Sequence, residues 1–336
     1  MKVLPVRHAE KRDFSRRATA PLSNRHMKIW SILSVFTFIS CASVQNRPLL
    51  AELELQGHRG ARGLAPENTW PAFEAALAHG MNVLELDTVL TADGNLIIHH
   101  DTETNPALCR NDDGSAIQSQ PIRNLQTGEL KKLDCGSKAD PKFVEQKPVP
   151  GTRLMTLDEF FAAIKKREAT DPAARKVAFN VEAKFAEGAT DADVEIFAAT
   201  LLKKVRASGY QKRVTIQSFD HRILKSIKTL QADQRTSALV TLTRWQGLKI
   251  YLGLGGGVRA DAIDKALAVK ADILSPYRLY INASFVADAH AKNLAVIPWT
   301  VNDAGEMQRL LELGVDGIIS DYPDRLQNVY KSRAAK

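Results

Sequence analysis

The order of short apolar runs and helical patterns along this 336-residue chain predicts an α/β protein, on three observations. Apolar runs of strand length, many of them β-branched, recur at residues 53–55, 82–90, 177–182, 214–218, 238–242, 273–275, 294–299 and 317–320. Segments with the apolar spacing of helices alternate with them, at 157–166, 192–206, 223–230 and 304–313. The polar residues with chemical potential fall at the C-terminal ends of the runs, where α/β barrels place their chemistry.

The first run ends just before His58, Arg59 and Gly60. Asn68 and Thr69 then precede Trp70, Phe73, Ala76 and Leu77, a helix pattern stopped by Gly80. In the second run Leu84, Leu86 and Val89 are apolar, whereas Glu85 and Asp87 share the opposite face, because strand side chains alternate with period two. Two carboxylates on one face repel each other unless a cation lies between them, and a divalent metal is the simplest candidate. Asp93-Gly94 is a hairpin signal. A return strand over 95–101 would pair residues whose numbers sum to about 187, which puts His100 opposite Asp87 and turns His99 to the other face. Chemistry is therefore expected of His100 and a structural role of His99.

After residue 101 the periodicity fades over about fifty residues rich in Asn, Asp, Gly, Pro and Lys, a length that in a compact enzyme marks a functional or separately folded insertion. Cys109 and Cys135 lie in it. In an exported protein a disulfide between them would close a loop of about 26 residues, with two free buried thiols as the alternative.

Export is expected from the N-terminus. Met27-Lys28 opens an apolar stretch over 29–39 followed by Ser40, Cys41, Ala42 and Ser43, so that 27–43 reads as a secretory signal peptide, too short to be a membrane span. Residues 1–26 read as a non-native or targeting extension, and Cys41 as a possible lipid anchor of a bacterial periplasmic or envelope-anchored protein. Residues 1–50 hold nine Lys and Arg against two acids, +7 of the chain's formal +8. The remainder is nearly neutral, so the overall basicity gives no reason to expect nucleic acid as a partner.

Taken together, His58-Arg59-Gly60, Pro66-Glu67-Asn68-Thr69, Glu85-Leu86-Asp87, Thr91-Ala92-Asp93-Gly94, His100-Asp101, Glu182-Ala183-Lys184, Gln217-Ser218-Phe219, Trp299-Thr300-Val301-Asn302 and the closing segment 317–323 resemble, in this order, the glycerophosphodiester phosphodiesterases. The resemblance implies a TIM (β/α)8 barrel over 52–330, in which the hairpin extends strand two and 102–150 form a small cap. It implies Glu85, Asp87 and Glu182 as ligands of one divalent ion, and their hard oxygen donors suit Mg²⁺ or Ca²⁺. It implies Arg59 and Lys184 as holders of the phosphate, and His58 and His100 as acid and base. In the family one histidine helps the glycerol 2-hydroxyl attack phosphorus while the other protonates the leaving alcohol, and water then opens the cyclic phosphate to glycerol 3-phosphate. Which histidine does which is open at this level.

Simpler roles compete for some of these residues. Glu67 and Asn68 could cap the first helix rather than serve the site, with Glu67 kept as a substrate-binding candidate. Trp299, at a strand end, is expected to line the substrate pocket. The glycine run 253–257 reads as a flexible loop rather than a phosphate cradle. His221 reads as a helix-start residue, and His79 and His290 are assigned nothing. The expected substrate is a small glycerophosphodiester such as glycerophosphocholine or glycerophosphoethanolamine. Two alternatives remain: phospholipase D-like action on lysophospholipids or sphingomyelin, with Tyr277, Tyr280 and Phe285 as the apolar cluster for an acyl chain, and a non-catalytic binding lipoprotein.

Overall fold

Eight parallel strands and one antiparallel hairpin strand make up the sheet. The structure, a computed structural model, describes residues 49–334. In chain order the strands are β1 (Glu54–Gly57), β2 (Val83–Leu90), β3 (Leu96–Ile98), β4 (Ala178–Ala183), β5 (Val214–Ser218), β6 (Thr236–Val240), β7 (Ile273–Pro276), β8 (Ala295–Val296) and β9 (Gly317–Ser320). Their spatial order is β8-β7-β6-β5-β4-β2-β1-β9, with β3 paired to β2 alone. The seam between β9 and the β8 segment is spanned by the Asp316 amide donating to Val296 O (2.8 Å), Ile319 to Pro298 O (3.0 Å) and Val301 to Ile319 O (3.0 Å), so the sheet nearly closes into the expected TIM barrel. The expectations for residues 1–26, for the signal segment 27–43 and for Cys41 lie outside the described residues. No helix among the described residues is long and apolar enough to cross a membrane.

The helices are α1 (Trp70–Ala78), α2 (Thr127–Leu130), α3 (Leu157–Thr170), α4 (Asp191–Ser208), α5 (His221–Leu230), α6 (Arg244–Tyr251), α7 (Gly256–Ala268), α8 (Ala283–His290), α9 (Ala304–Glu312) and α10 (Pro323–Ala334). α3 and α4 start where Thr156 and Thr190 form reciprocal capping boxes with Glu159 and Asp193. α4 presents Val194, Phe197, Ala198, Leu201, Leu202 and Val205 to the core and stops at Gly209 in the left-handed region. Phe160 of α3 packs edge-on against Phe73 of α1 (4.8 Å) and Phe179 of β4 (5.5 Å), an aromatic joint between the helical shell and the outer face of the barrel.

Three expectations are corrected. The strand expected over 294–299 shrinks to two residues, because Pro298 and, on its neighbour, Pro276 lack the amide that a continuous ladder needs. The helices α2, α6, α7, α8 and α10 had no clear sequence signal; the glycine run read as a flexible loop ends α6 at Gly253, which has φ +76°, and opens α7 at Gly256. Val89 does not share a face with Leu84 and Leu86: it has the parity of the carboxylates, and beyond the barrel rim it packs with Ile97, Cys109, Ile122, Leu130, Cys135 and Leu154. That second apolar cluster is the core of the insertion, in which Cys109 and Cys135 are disulfide-bonded.

Candidate active site

β1 delivers His58 and Arg59 into a turn that only an unusual backbone allows. Arg59 has φ +51° and Gly60 φ +82°. A Cβ on Gly60 would lie 2.6 Å from the Ala72 carbonyl carbon, so glycine is required there both for conformation and for the close approach of α1. The turn is held from the site side, since the Arg59 amide donates to Glu85 Oε2 (2.7 Å). It is held from the insertion by Gln146, whose Nε2 donates to Arg62 O (2.7 Å) and Ala65 O (3.2 Å).

Glu85 and Asp87 alternate along β2 as expected, and the β2–β4 register sets Asp87 beside Glu182. All three are buried, and one ligand oxygen from each lies within 4.8 Å of the others. Two cations face them: Lys184 Nζ is 2.7 Å from Glu182 Oε1 and 3.2 Å from Asp87 Oδ1, and Arg59 Nε is 3.3 Å from Asp87 Oδ2. Three carboxylates against two cations leave one buried negative charge uncompensated, and Asp87 Oδ1 accepts no hydrogen bond of good geometry. Burial and the neighbouring carboxylates accordingly push Glu85 well above the usual carboxylate range. Burial likewise raises Glu182 to about 7 against the opposing pull of Lys184. Asp87 is buried too, but Lys184 and Arg59 outweigh that burial and hold it well below the ordinary value. An excess-negative, oxygen-only cluster with a spare acceptor fits a hard divalent cation.

The imidazoles flank this cluster. His58 Nδ1 is 2.6 Å from Asp321 Oδ1, and Asp321 is fixed in turn by Arg62 Nε (2.9 Å) and Asn302 Nδ2 (2.7 Å). Burial lowers the His58 pKa to about 4 despite that carboxylate. His100 Nδ1 is 2.7 Å from Asp101 Oδ1, which also accepts from Asn105 through its other oxygen (2.7 Å). His58, Arg59, Glu85, His100, Glu182, Lys184 and Trp299 line one cavity of about 160 Å³. A wider surface cleft of about 630 Å³ adjoins it, sharing Glu182, Lys184 and Phe219.

The hairpin register differs from the expected one. Thr88 pairs with Ile98 and Leu90 with Leu96, a sum of 186, so that His99 and not His100 stands across from Asp87, with its amide bonded to Asp87 O (3.1 Å). His100 reaches the cavity because β3 ends at Ile98 and the chain turns out of the sheet, while the His99 ring bonds Asp101 O (2.8 Å) and stays buried.

Neither Glu67 nor Asn68 caps α1. Glu67 Oε1 pairs with Arg59 Nη1 (2.7 Å), and Asn68, at φ +57°, donates to Asp87 Oδ2 (2.8 Å). Arg59 and Lys184, expected on the phosphate, are engaged by carboxylates while still bordering the cavity. Tyr280 and Phe285 are core residues, so the apolar cluster suggested for an acyl chain is not an open groove. Unforeseen participants are Arg62, Asp321 and Gln217, whose Nε2 donates to Glu85 Oε1 (2.8 Å) while its carbonyl accepts from Asn180 (2.9 Å). The Gln217 and Asp321 motifs were visible, but only their contacts assign them partners.

Residues 58–325 match the model of the glycerophosphoryl diester phosphodiesterase family. A glycerophosphodiester phosphodiesterase of Caldanaerobacter subterraneus is 28% identical over 277 residues, covering 82% of this chain and 96% of its own. One from Bacillus subtilis is 27% identical over 306 residues, covering 88% and 92%. Among solved structures, a glycerophosphoryl diester phosphodiesterase from Silicibacter pomeroyi superposes with TM-score 0.75 at 26% identity, covering 86% of this chain and 96% of that one. An Oleispira antarctica phosphodiesterase, solved in complex with the product sn-glycerol-3-phosphate, has the same fold, with TM-score 0.63 at 23% identity over 83% and 96% of the two chains. With a barrel whose C-terminal rim gathers the carboxylates, cations and imidazoles, and with a family model spanning most of its length, this chain belongs to the glycerophosphoryl diester phosphodiesterase family of phosphoric diester hydrolases.

Proposed function

We propose that the protein hydrolyses small glycerophosphodiesters, such as glycerophosphocholine or glycerophosphoethanolamine, to glycerol 3-phosphate and an alcohol, with one divalent metal and histidine acid/base catalysis. The observation that carries this reading is the meeting of a buried three-carboxylate cluster and two carboxylate-bound imidazoles at one cavity. That the Oleispira antarctica phosphodiesterase holds sn-glycerol-3-phosphate agrees with it.

Glu85, Asp87 and Glu182 would hold the ion, Mg²⁺ or Ca²⁺. When bound it supplies charge neutralisation to the phosphate oxygens as negative charge grows on them. His58 is the base: with Nδ1–H donated to Asp321, its Nε2 keeps a lone pair, and burial keeps the ring neutral. It takes the proton of the glycerol 2-hydroxyl as that oxygen attacks phosphorus. His100, the more solvent-open ring at 32% side-chain exposure against 12% for His58, gives its proton to the departing alcohol, and water then opens the cyclic phosphate to glycerol 3-phosphate as the two rings exchange proton roles. Arg59, its planar guanidinium oriented by Glu67, steadies a non-bridging oxygen, and Lys184 adds a point charge beside it. Trp299, anchored through Nε1 to Ser275 O (2.9 Å), walls the glycerol side of the cavity.

The test is release of glycerol 3-phosphate by purified protein from a panel of glycerophosphodiesters, with and without chelator. Activity is expected with added Mg²⁺ or Ca²⁺ and is expected to be lost in excess EDTA and in the Glu85→Gln, Glu182→Gln double variant. Full turnover in EDTA would sink the metal assignment. Export, to the periplasm or an envelope-anchored form, is proposed on the signal-like segment together with the disulfide.

A further inference from the structure

The helix that follows β6 serves the core through one partly buried residue, Ile250. None of the side chains of α6 is buried, yet it carries Trp245 (76% exposed), Leu248 and Tyr251 (87% exposed) and runs on into exposed Leu252 and Leu254. These are five of the thirteen exposed large hydrophobic side chains among the described residues, gathered within ten positions. Single exposed apolar residues are ordinary, whereas a run of this kind marks a surface meant to be covered. Its charge is one-sided: no Asp or Glu occurs between Asp233 and Asp261, while Arg244 and Lys249 do, both exposed.

Its position is on the rim of the catalytic end. Leu239 of β6 lines the diester cavity. Two residues on, the Thr241 carbonyl accepts from the Tyr280 hydroxyl (3.1 Å). α6 packs against the turn Arg278–Tyr280, and in that turn the Arg278 amide bonds Trp299 O (3.1 Å). The apolar, basic segment thus stands beside the mouth whose wall is Trp299.

We propose that residues 244–254 dock the barrel mouth on an anionic lipid bilayer. Trp and Tyr, each with an apolar body and a polar tip, suit the boundary between headgroups and acyl chains. A stretch of cations without acids suits negatively charged headgroups. A second copy of this chain would set these cations against each other, which disfavours self-association through the same face. The reason for bringing this mouth to a membrane rests on the hydrolase reading, but docking is measured without turnover, so the two fail separately.

Full-length protein is sedimented with phosphatidylglycerol/phosphatidylcholine (1:1) vesicles and with pure phosphatidylcholine, and its tryptophan emission is read against brominated phosphatidylglycerol. Binding to the anionic vesicles is expected, weakened at least ~10-fold by the Trp245→Asp, Tyr251→Asp double variant and by about fivefold for each of Arg244→Glu and Lys249→Glu. Bromine quenching of the wild type should exceed that of Trp245→Phe. Hydrolysis of a soluble diester should be unchanged in all four variants, which shows that they fold. Absence of binding, binding indifferent to these substitutions, equal quenching in Trp245→Phe, or a dimer abolished by the Trp245→Asp, Tyr251→Asp double variant would each overturn the proposal.

Discussion

His58 depends on one contact more than on any other, the 2.6 Å bond from Nδ1 to Asp321, which selects the tautomer that leaves Nε2 free. Removal of either ring of the proposed acid/base pair, by His58→Ala or His100→Ala, is expected to lower kcat at least ~10²-fold, while His99→Ala costs less than about tenfold and shows mainly as lost thermal stability. Burial sets the pH dependence. A base must be neutral to act, and a ring held at about 4 stays neutral well below the ordinary imidazole value, so at saturating metal kcat/KM should hold as pH falls through 6.5 and decline only toward 4. A limb near 6.5 that vanishes in no variant but His58→Ala would show that the ring titrates as though exposed. Asp321→Asn removes the carboxylate that favours the charged ring; the limb should move lower still, and kcat should fall because the ring loses its anchor.

At the scale of elements, the turn after β1 and the insertion after β3 hold the site from opposite sides. Gly60 has φ +82° and would place a Cβ against Ala72 and Phe73 backbone atoms at 2.6 to 2.8 Å. Gly60→Ala is therefore expected to cost about 3 kcal/mol, from a left-handed alanine and a clash with backbone that cannot swing aside, read as a lower denaturant midpoint. The insertion has little regular structure and a small apolar cluster, so its disulfide, which spans 26 positions, carries much of its order. The Cys109→Ser, Cys135→Ser double variant should lose about 3 kcal/mol in the chain-entropy model and be cut first within 102–150 by added protease. If the protein is exported as proposed, mass spectrometry of protein recovered from its source cells should find the two cysteine peptides linked and the N-terminus at or after Cys41. An intact stretch 1–26 would overturn export.

Across the whole molecule the two ends of the barrel are held by different chemistry. The catalytic rim concentrates charge that a ligand must complete. At the opposite end Asp316, fully buried, accepts from the Val296 amide (2.7 Å), the Leu50 amide (2.9 Å) and the Leu49 amide, and meets His290 Nε2 at 2.7 Å. It joins the entering chain, α8, β8 and β9 at the seam where the sheet closes. Asp316→Ala should lower stability by on the order of 3 kcal/mol by leaving those donors unpaired, with kcat per folded molecule within twofold of the wild type. A loss of kcat without a loss of stability would contradict this division. Between the two ends the interior holds a polar column rather than only branched aliphatics: Arg235 meets Glu54 Oε1 (2.5 Å), Gln56 donates to Glu54 Oε2 (2.7 Å), Asn180 donates to both Gln56 (2.8 Å) and Gln217 (2.9 Å), and Gln217 reaches Glu85.

The amino-acid sequence by itself determined the eight-strand alternation, the shared face of Glu85 and Asp87, and the meeting of His58 with the carboxylates at strand ends, because period-two faces and strand termini are local properties. The same local rule could not set the β2–β3 register. A turn shifted by one residue moves every pair, and His100 reached the cavity only because the chain leaves the sheet at Ile98. Asn68 on Asp87, Arg62 and His58 on Asp321, and Gln217 on Glu85 join residues 19 to 263 positions apart in pairings that no spacing encodes. α6 escaped notice for the complementary reason: Trp245, Leu248 and Tyr251 face water and only Ile250 packs on the core, so the periodicity that marks burial is absent. Only the tertiary structure, by deciding which surfaces are covered and which donors are spent, separates the residues that hold this site from those that merely lie near it in sequence.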